Sequence, residues 1–153
     1  MKPETPTGMV KVRFLNPSGP ATETLWAIPV EPNLYRLDNS PFFAYGVSWQ
    51  DTVEARVGSD NVLEFVRCSK KSGNRTLRVI FQDYKFADPE TEEVLAGLRH
   101  LGCSYEGMQP RLISINVPPD ANLSHVTDFL KRQSGLQWEY ADPTYEQITN
   151  RVM

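Results

Sequence analysis

Histidine and cysteine side chains are the first candidates for metal binding or covalent catalysis. The chain has four of them: Cys68, His100, Cys103 and His125. A structural zinc site needs four ligands, usually paired at short spacing, and only His100 and Cys103 are close in sequence. A catalytic thiolate needs a base beside it. His100 could be that base for Cys103, but a histidine at a helix end and a buried cysteine are the simpler explanation. The sequence therefore predicts no metal site, no cofactor and no catalytic set.

Motifs for phosphate and RNA binding are also missing from the sequence. It contains neither G-x-x-x-x-G-K-[ST] nor G-x-G-x-x-G. The connection at residues 82–88 carries two acids and one lysine, and this acidic excess would repel a phosphate. The strand pattern at residues 111–117 has no aromatic side chain on which an RNA base could stack. These patterns exclude a phosphate loop and an RNA-recognition sheet of the usual kind.

A basic cluster lies between residues 67 and 78, where five cations occur without an acid. Its members are Arg67, Lys70, Lys71, Arg75 and Arg78. A turn-forming Ser-Gly-Asn at 72–74 separates two strand patterns, so we expect a hairpin that presents these cations at a positive tip. Such a tip is either a solvated edge that resists aggregation or a docking point for a phosphate backbone or an acidic protein surface.

An acidic cluster and an aromatic run are the other candidate contact sites. The acids lie at the start of a predicted helix, where the positive end of the helix dipole favours negative side chains. The alternative is that they also contact a basic partner. They are Asp88, Glu90, Glu92 and Glu93. The aromatic run is Phe42, Phe43 and Tyr45, inside a predicted loop. These rings either plug the first half or lie between two halves, or they form an exposed patch of the kind that anchors interfaces.

The elements that position these residues divide the chain into two halves. Short strand patterns occur at residues 9–14, 22–28, 34–37, 51–57 and 62–67, with turn residues between them. This spacing predicts a small antiparallel β-barrel over residues 9–73 after a disordered start at 1–8.

The second half, residues 74–142, changes to a pattern that includes helices. Asp88 and Pro89 form a helix start, and Val94, Leu95 and Leu98 begin its apolar stripe. With a second helix after residue 120, the order is β-α-β-β-α-β, which predicts a ferredoxin-like arrangement. The fold class is therefore α+β, and residues 143–153 are predicted to be a loosely ordered tail.

Composition and charge limit the function classes. The chain has 153 residues, 40% hydrophobic and 23% charged, with a net charge of −3. Residues 1–82 carry a net charge of +2 and residues 83–153 one of −5. A sequence pI near 5.4 argues against general nucleic-acid binding. With no run of 18 apolar residues and no apolar segment at the start, we expect no membrane association and a cytoplasmic location.

Three groups of segments resemble a bacterial family catalogued as domain of unknown function 4265. The first runs from Leu34 to Ser48 and continues at 51–55, and the other two are Ser-Gly-Asn-Arg-Thr at 72–76 and Gly-Cys-Ser-Tyr-Glu-Gly at 102–107. The resemblance covers about residues 9–140. It implies membership of the family and no established chemistry.

Taken together, these patterns favour a non-enzymatic protein-binding module, an immunity- or antitoxin-type inhibitor or regulator of another protein. One alternative is an RNA- or ribosome-associated factor that uses the cations at 67–78. The other is a small-ligand binder or enzyme with a pocket between the halves. Its candidate groups are Tyr45, Asp51, Arg75, Cys103 and Glu106.

Overall fold

The computed structural model describes residues 8–15, 22–82, 89–108 and 111–151. The strands and helices of this part of the chain are β1 (Val10–Leu15), β2 (Thr22–Glu31), β3 (Leu34–Leu37), β4 (Thr52–Val57), β5 (Leu63–Lys70), β6 (Arg75–Phe81), α1 (Pro89–His100), β7 (Ser104–Met108), β8 (Leu112–Val117), α2 (Leu123–Lys131), β9 (Leu136–Asp142) and α3 (Tyr145–Arg151). Within these ranges no helix has both the length and the apolar character needed to cross a bilayer.

The first five strands pair in sequence order and close on themselves. Successive strands are antiparallel, and β1 also pairs with β5 in parallel at Val12↔Leu63 and Arg13↔Glu64. Alternation along β1 points Val12 and Phe14 inward, which is the period-two pattern of a half-buried strand. The enclosed apolar core consists of Val12, Phe14, Leu25, Ala27, Leu37, Val47, Val53 and Ala55.

The remaining four strands form a second sheet in the order β7-β8-β6-β9, with antiparallel neighbours throughout. Leu77 and Val79 of β6 and Ile115 of β8 face α1 and α2, and all of them belong to one core. The helices therefore cover one face of this sheet, and the opposite face is available to the first half. The prediction of an α+β chain with antiparallel sheets is confirmed at this level.

Local signals explain where the helices begin and end. The side chain of Asn122 accepts a hydrogen bond from His125 N at 3.1 Å and caps α2. Gly102 adopts a φ of 93° directly after α1, and Cys103 N then donates to Leu98 O at 3.0 Å. Pro89 is the first residue of α1, as predicted. The predicted cap Asp88 lies outside the described residues.

The expected hairpin at residues 67–78 is wrong. β5 pairs with β4 and β1, whereas β6 pairs with β8 and β9, so the turn at 72–74 connects two different sheets. The reason lies in the apolar side chains: Phe65 packs against the first core, and Leu77 and Val79 belong to the second. The turn residues at 72–74 predict a change of chain direction, but they do not determine which strands pair with β5 and β6.

The stretch predicted as a loosely ordered tail contains α3. Thr144 N donates to Gln147 Oε1 at 2.8 Å, and Gln147 N donates to Thr144 Oγ1 at 3.2 Å. This reciprocal pair is a capping box, whose S/T-x-x-E/Q spacing can be read from the sequence as Thr-Tyr-Glu-Gln. The sequence interpretation missed that signal.

Candidate functional site

The connection from β3 to β4, residues 38–51, lies across the helix-free face of the second sheet, and we call it the bridging loop. Ser114 Oγ on β8 donates to Pro41 O at 2.7 Å, and Ser48 Oγ lies 2.6 Å from Thr76 Oγ1 on β6. The loop thereby joins the two halves and divides the free face into separate cavities.

A buried polar cluster fastens the bridging loop to the second half. Lys71 Nζ lies 2.5 Å from both Asp51 Oδ2 and Asp142 Oδ2, and the two carboxylates are almost fully buried. Ser48 N donates to Asp51 Oδ2 at 2.8 Å, and Ser48 Oγ donates to Asp142 Oδ2 at 2.5 Å. We call Ser48, Asp51, Lys71, Thr76 and Asp142 the junction network.

The charges of the junction network suit a fastening role better than catalysis. Burial alone would lower the pKa of Lys71, but hydrogen bonds to Asp142 and Asp51 outweigh it and raise that pKa above its ordinary value. Lys71 therefore stays protonated and cannot act as a base towards Ser48, which is fully buried.

Arg78 lies inside the fold, which corrects its expected place at a positive tip. Its side chain is 3% exposed, and Nε donates to Glu139 Oε1 at 3.0 Å. Nη1 donates to Ala44 O at 2.9 Å, and the guanidinium lies 4.5 Å from the centre of the Tyr45 ring. Tyr45 Oη in turn donates to Glu139 at 2.8 Å. Burial and then the Glu139 carboxylate raise the pKa of Tyr45, so this phenol stays protonated.

The other four cations of the predicted basic cluster do not lie together on one surface. Arg67 pairs with Glu54 at 3.0 Å in the first half, and Lys71 belongs to the junction network. Arg75 Nη2 donates to Pro118 O at 2.7 Å and to Ala121 O at 2.5 Å. Lys70 is exposed at the end of β5. The RNA-associated alternative therefore has no single surface formed by these five side chains.

The aromatic run lies between the halves and also reaches the surface. Phe42 is half-buried, whereas Phe43 is 38% and Tyr45 56% exposed. Two cavities flank this run, with volumes of about 270 and 780 Å³, and both are lined by Trp138 and Glu139 of β9. Six rings line the two cavities, and we define the aromatic surface as the five of them other than Phe42: Phe43, Tyr45, Trp138, Tyr140 and Tyr145.

The acidic cluster lies elsewhere. Glu90, Glu92 and Glu93 are exposed on the first turns of α1, which packs against the other face of the sheet. Asp88 lies outside the described residues. The structure therefore does not bring these acids together with the aromatic surface.

The candidate catalytic residues do not form one set, although the charge of Arg75 lies near enough to Cys103 to oppose part of the rise in its pKa. Burial raises the pKa of Cys103 to about 11, which disfavours the reactive thiolate. His100 is exposed at the end of α1. Tyr45 contacts Arg78 and Glu139, whereas Asp51 lies in the junction network. Within the described residues, no group of three or more His, Cys, Asp or Glu side chains could hold a metal ion.

A third cavity, of about 280 Å³, lies on the β7–β8 side of the bridging loop. We call it the acceptor pocket, and its lining includes Asp38, Ser40, Trp49, Glu106 and Asn116. Glu106 was a sequence candidate for a pocket between the halves. The other four residues were missed, because they become neighbours only when the loop packs on the sheet.

The family model described as "Domain of unknown function (DUF4265)" matches residues 23–140. The chain belongs to this family. The predicted membership is thus confirmed, with a match that begins later than the expected residue 9. No curated protein matches the sequence.

One solved structure shares the fold of this DUF4265 member. It is a hypothetical protein from Neisseria gonorrhoeae with 21% sequence identity and a TM-score of 0.74. The similarity covers 90% of this chain and 96% of that one. At this identity the likeness concerns the fold alone.

The segments that carry the DUF4265 resemblance meet at the bridging loop. Ser72 N donates to Asp51 Oδ1 at 2.7 Å, and Asn74 Nδ2 donates to Trp49 O at 3.0 Å. Glu106, from the third segment, lines the acceptor pocket beneath the loop. These segments thus build the joint between the halves and the cavities around it.

Proposed function

We propose that this chain is a non-enzymatic protein-binding module, an inhibitor or regulator of the immunity or antitoxin type, that acts in the cytoplasm. In this proposal it docks an extended segment of another protein along the aromatic surface. The finer architecture belongs to the same proposal: a small β-barrel followed by a ferredoxin-like half. The element order β6-α1-β7-β8-α2-β9 and the strand order β7-β8-β6-β9 support that assignment.

The observation that carries the proposal is the exposure of large rings beside an edge strand. Tyr145 is 68% and Tyr45 56% exposed, and Trp138 and Tyr140 line the cavity between them. Tyr and Trp are among the side chains that most often anchor protein interfaces. A soluble chain that used none of them would expose this apolar surface at a cost.

The edge strand itself suggests an extended segment as the docked element. Among the described strands β9 pairs only with β6, so its outer edge offers backbone groups to an added strand. Alternate side chains of such a segment would reach the cavities on either side of Glu139. Glu139 is already paired with Arg78, and Glu146 and Lys131 balance each other among the described lining residues of the larger cavity, so the rings and not a net charge would select the segment.

Site-specific photocrosslinking in the native cells tests this docking surface. A crosslinking residue replaces Phe43 or Tyr145, and the matched control replaces Val66, which is 48% exposed on the barrel strand β5. We expect one protein to be crosslinked from both positions on the aromatic surface and not from Val66. The same set of adducts from all three positions would contradict the proposal.

Reconstitution with the purified crosslinked protein then tests affinity and role. Phe43→Ala and Tyr145→Ala should each weaken binding at least about tenfold, as expected of interface anchors, and Val66→Ala should leave it unchanged. The activity of the partner should change when the chain is added in equal amount. Unchanged affinity in both ring variants would refute docking at this surface, and unchanged partner activity would refute the inhibitor or regulator role.

A further inference from the structure

The acceptor pocket contains carboxylates that the protein does not neutralise. Within the described residues neither Asp38 nor Glu106 forms an ion pair. Desolvation raises the pKa of Glu106, a hydrogen bond from the backbone of Ser40 offsets part of that rise, and the neighbouring carboxylates of Asp38 and Glu23 add to it. The pocket therefore has a negative potential that a bound cation would relieve.

A buried amide oxygen in the same pocket also lacks a partner. Asn116 is 4% exposed, and its Nδ2 donates to Asn74 Oδ1 at 3.2 Å. Its Oδ1 has no hydrogen-bond partner in the described structure. Asn116 lines the pocket, and its Nδ2 is turned towards Asn74, so Oδ1 is the acceptor of this side chain that still lacks a donor. The oxygen itself has almost no accessible surface, so an occupant would reach it after a small shift of the side chain. Buried acceptors without a donor are rare in folded proteins, so this one points to a ligand that carries N–H groups.

The shape and lining of the pocket favour an organic cation over a metal ion. No metal-ligating group of three acidic, histidine or cysteine side chains is found in the described ranges. The cavity of about 280 Å³ is larger than a single ion requires. Trp49 contributes an indole ring, and indole faces attract organic cations.

We propose that the acceptor pocket binds a guanidinium group, carried either by an arginine side chain of a partner protein or by a small free guanidino compound. A guanidinium presents five N–H donors in a plane. The pocket provides two carboxylates, the Oδ1 of Asn116 and the hydroxyl of Ser40 as acceptors. An ammonium group has three donors and would satisfy fewer of them. This site is separate from the aromatic surface, so either proposal can fail without the other.

Titration of the whole ¹⁵N-labelled chain tests the site through two reporters within it, the indole N–H of Trp49 and the side-chain amide of Asn116. The probes are N-acetyl-arginine methylamide and ethylguanidine. N-acetyl-citrulline methylamide is the neutral control of the same shape, and N-acetyl-lysine methylamide is the ammonium control. We expect both reporters to shift with the guanidinium probes and to stay unchanged with citrulline. Tighter binding of the arginine amide would identify a protein side chain as the source, and tighter binding of ethylguanidine a small compound.

Two variants test whether guanidinium binding depends on the carboxylates of Asp38 and Glu106. Glu106→Gln and Asp38→Asn keep the shape of each side chain and remove its charge, and each should weaken guanidinium binding at least tenfold. Glu31→Gln, an exposed carboxylate on β2, is the matched control and should have no effect. Equal shifts with citrulline, equal affinity for the lysine amide, or unchanged affinity in both pocket variants would overturn the assignment.

Discussion

Replacing Lys71 by methionine should remove the cation that the two carboxylates of the junction network share. Asp51 and Asp142 each lie 2.5 Å from Lys71 Nζ, so their Oδ2 atoms are at most about 5 Å apart. The repulsion between two charges at that distance is about 3 kcal/mol at an effective dielectric of about 20, and without the lysine no shared cation offsets it. We therefore expect Lys71→Met to lower the free energy of unfolding by about 3 kcal/mol at pH 7, a large part of the stability of a domain this size.

The pH dependence distinguishes charge repulsion from lost packing. In Lys71→Met the repulsion between two ionised carboxylates can be relieved by uptake of a proton, which costs less free energy at pH 5 than at pH 7. The charge part of the penalty should therefore be smaller at pH 5 than at pH 7. In the wild-type chain the raised pKa of Lys71 means that its contribution is fully present below the unfolded pKa near 10.5. It is lost only as the pH rises through the folded value.

Urea unfolding followed by tryptophan fluorescence measures these differences. Lys70→Met is the matched control, because Lys70 is the exposed neighbour in the chain, and it should cost less than about 0.5 kcal/mol. Lys71→Met combined with Asp142→Asn should recover about 1–2 kcal/mol, since one of the repelling charges is gone. Equal penalties for Lys70→Met and Lys71→Met, or a Lys71→Met penalty that is the same at pH 5 and pH 7, would refute the reasoning.

Three further substitutions or reagents test other parts of the structure. Glu106→Gln should raise the melting temperature at pH 7 and have no effect at pH 3. The pKa of Glu106 is raised in the folded state, so ionisation of this carboxyl destabilises the folded protein as the pH rises from 3 to 7, and glutamine does not ionise. Gly97→Ala should destabilise the chain by about 1–2 kcal/mol despite the better helix propensity of alanine, since the added Cβ would lie 2.7 Å from Phe129 Cε2 and closer to Cζ. Cys103 should resist iodoacetamide at pH 8 until urea unfolds the chain, because with a pKa of about 11 only about one thiol in a thousand is ionised.

Each of these three predictions has a control at another residue of the chain. Gly107→Ala places a Cβ in open space and should not show the steric penalty of Gly97→Ala. Glu31→Gln should leave the melting temperature unchanged at both pH values. Cys68 is more exposed than Cys103 and should be alkylated first, as peptide mapping would show. A stabilising Gly97→Ala, a destabilising Glu106→Gln at pH 7, or rapid labelling of Cys103 would contradict the corresponding argument.

Sequence periodicity predicted the individual strands and helices well, because burial of one face imposes a period on the chain. Val12 and Phe14 point inward on β1, and Leu77 and Val79 face the helices on β6, as their alternation indicates. The same local signals could not identify strand partners. The turn at 72–74 is compatible with a hairpin, and only the two separate cores decide that the flanking strands part.

The candidate sites were harder to predict, because their residues are far apart in sequence. Ser48 and Asp142 of the junction network are separated by 94 positions, and no local motif links them. The burial of Arg78 was unpredictable for the same reason, since it depends on Glu139 and on carbonyl groups of the bridging loop. The aromatic run, in contrast, was recognisable from its composition alone, and it does lie between the halves.

The contacts that hold the bridging loop also fix the position of the Tyr45 ring, and this affects how tightly the aromatic surface would bind a partner. At one end of the loop, Ser48 and Asp51 are held by the junction network, and at the other Arg78 binds Ala44 O and stacks on Tyr45. A ring that is already fixed loses little conformational freedom when a partner covers it, so more of its contact energy appears as affinity. In the proposed docking, the buried polar contacts between the halves would therefore contribute without touching a partner, because they hold the rings in position before it arrives.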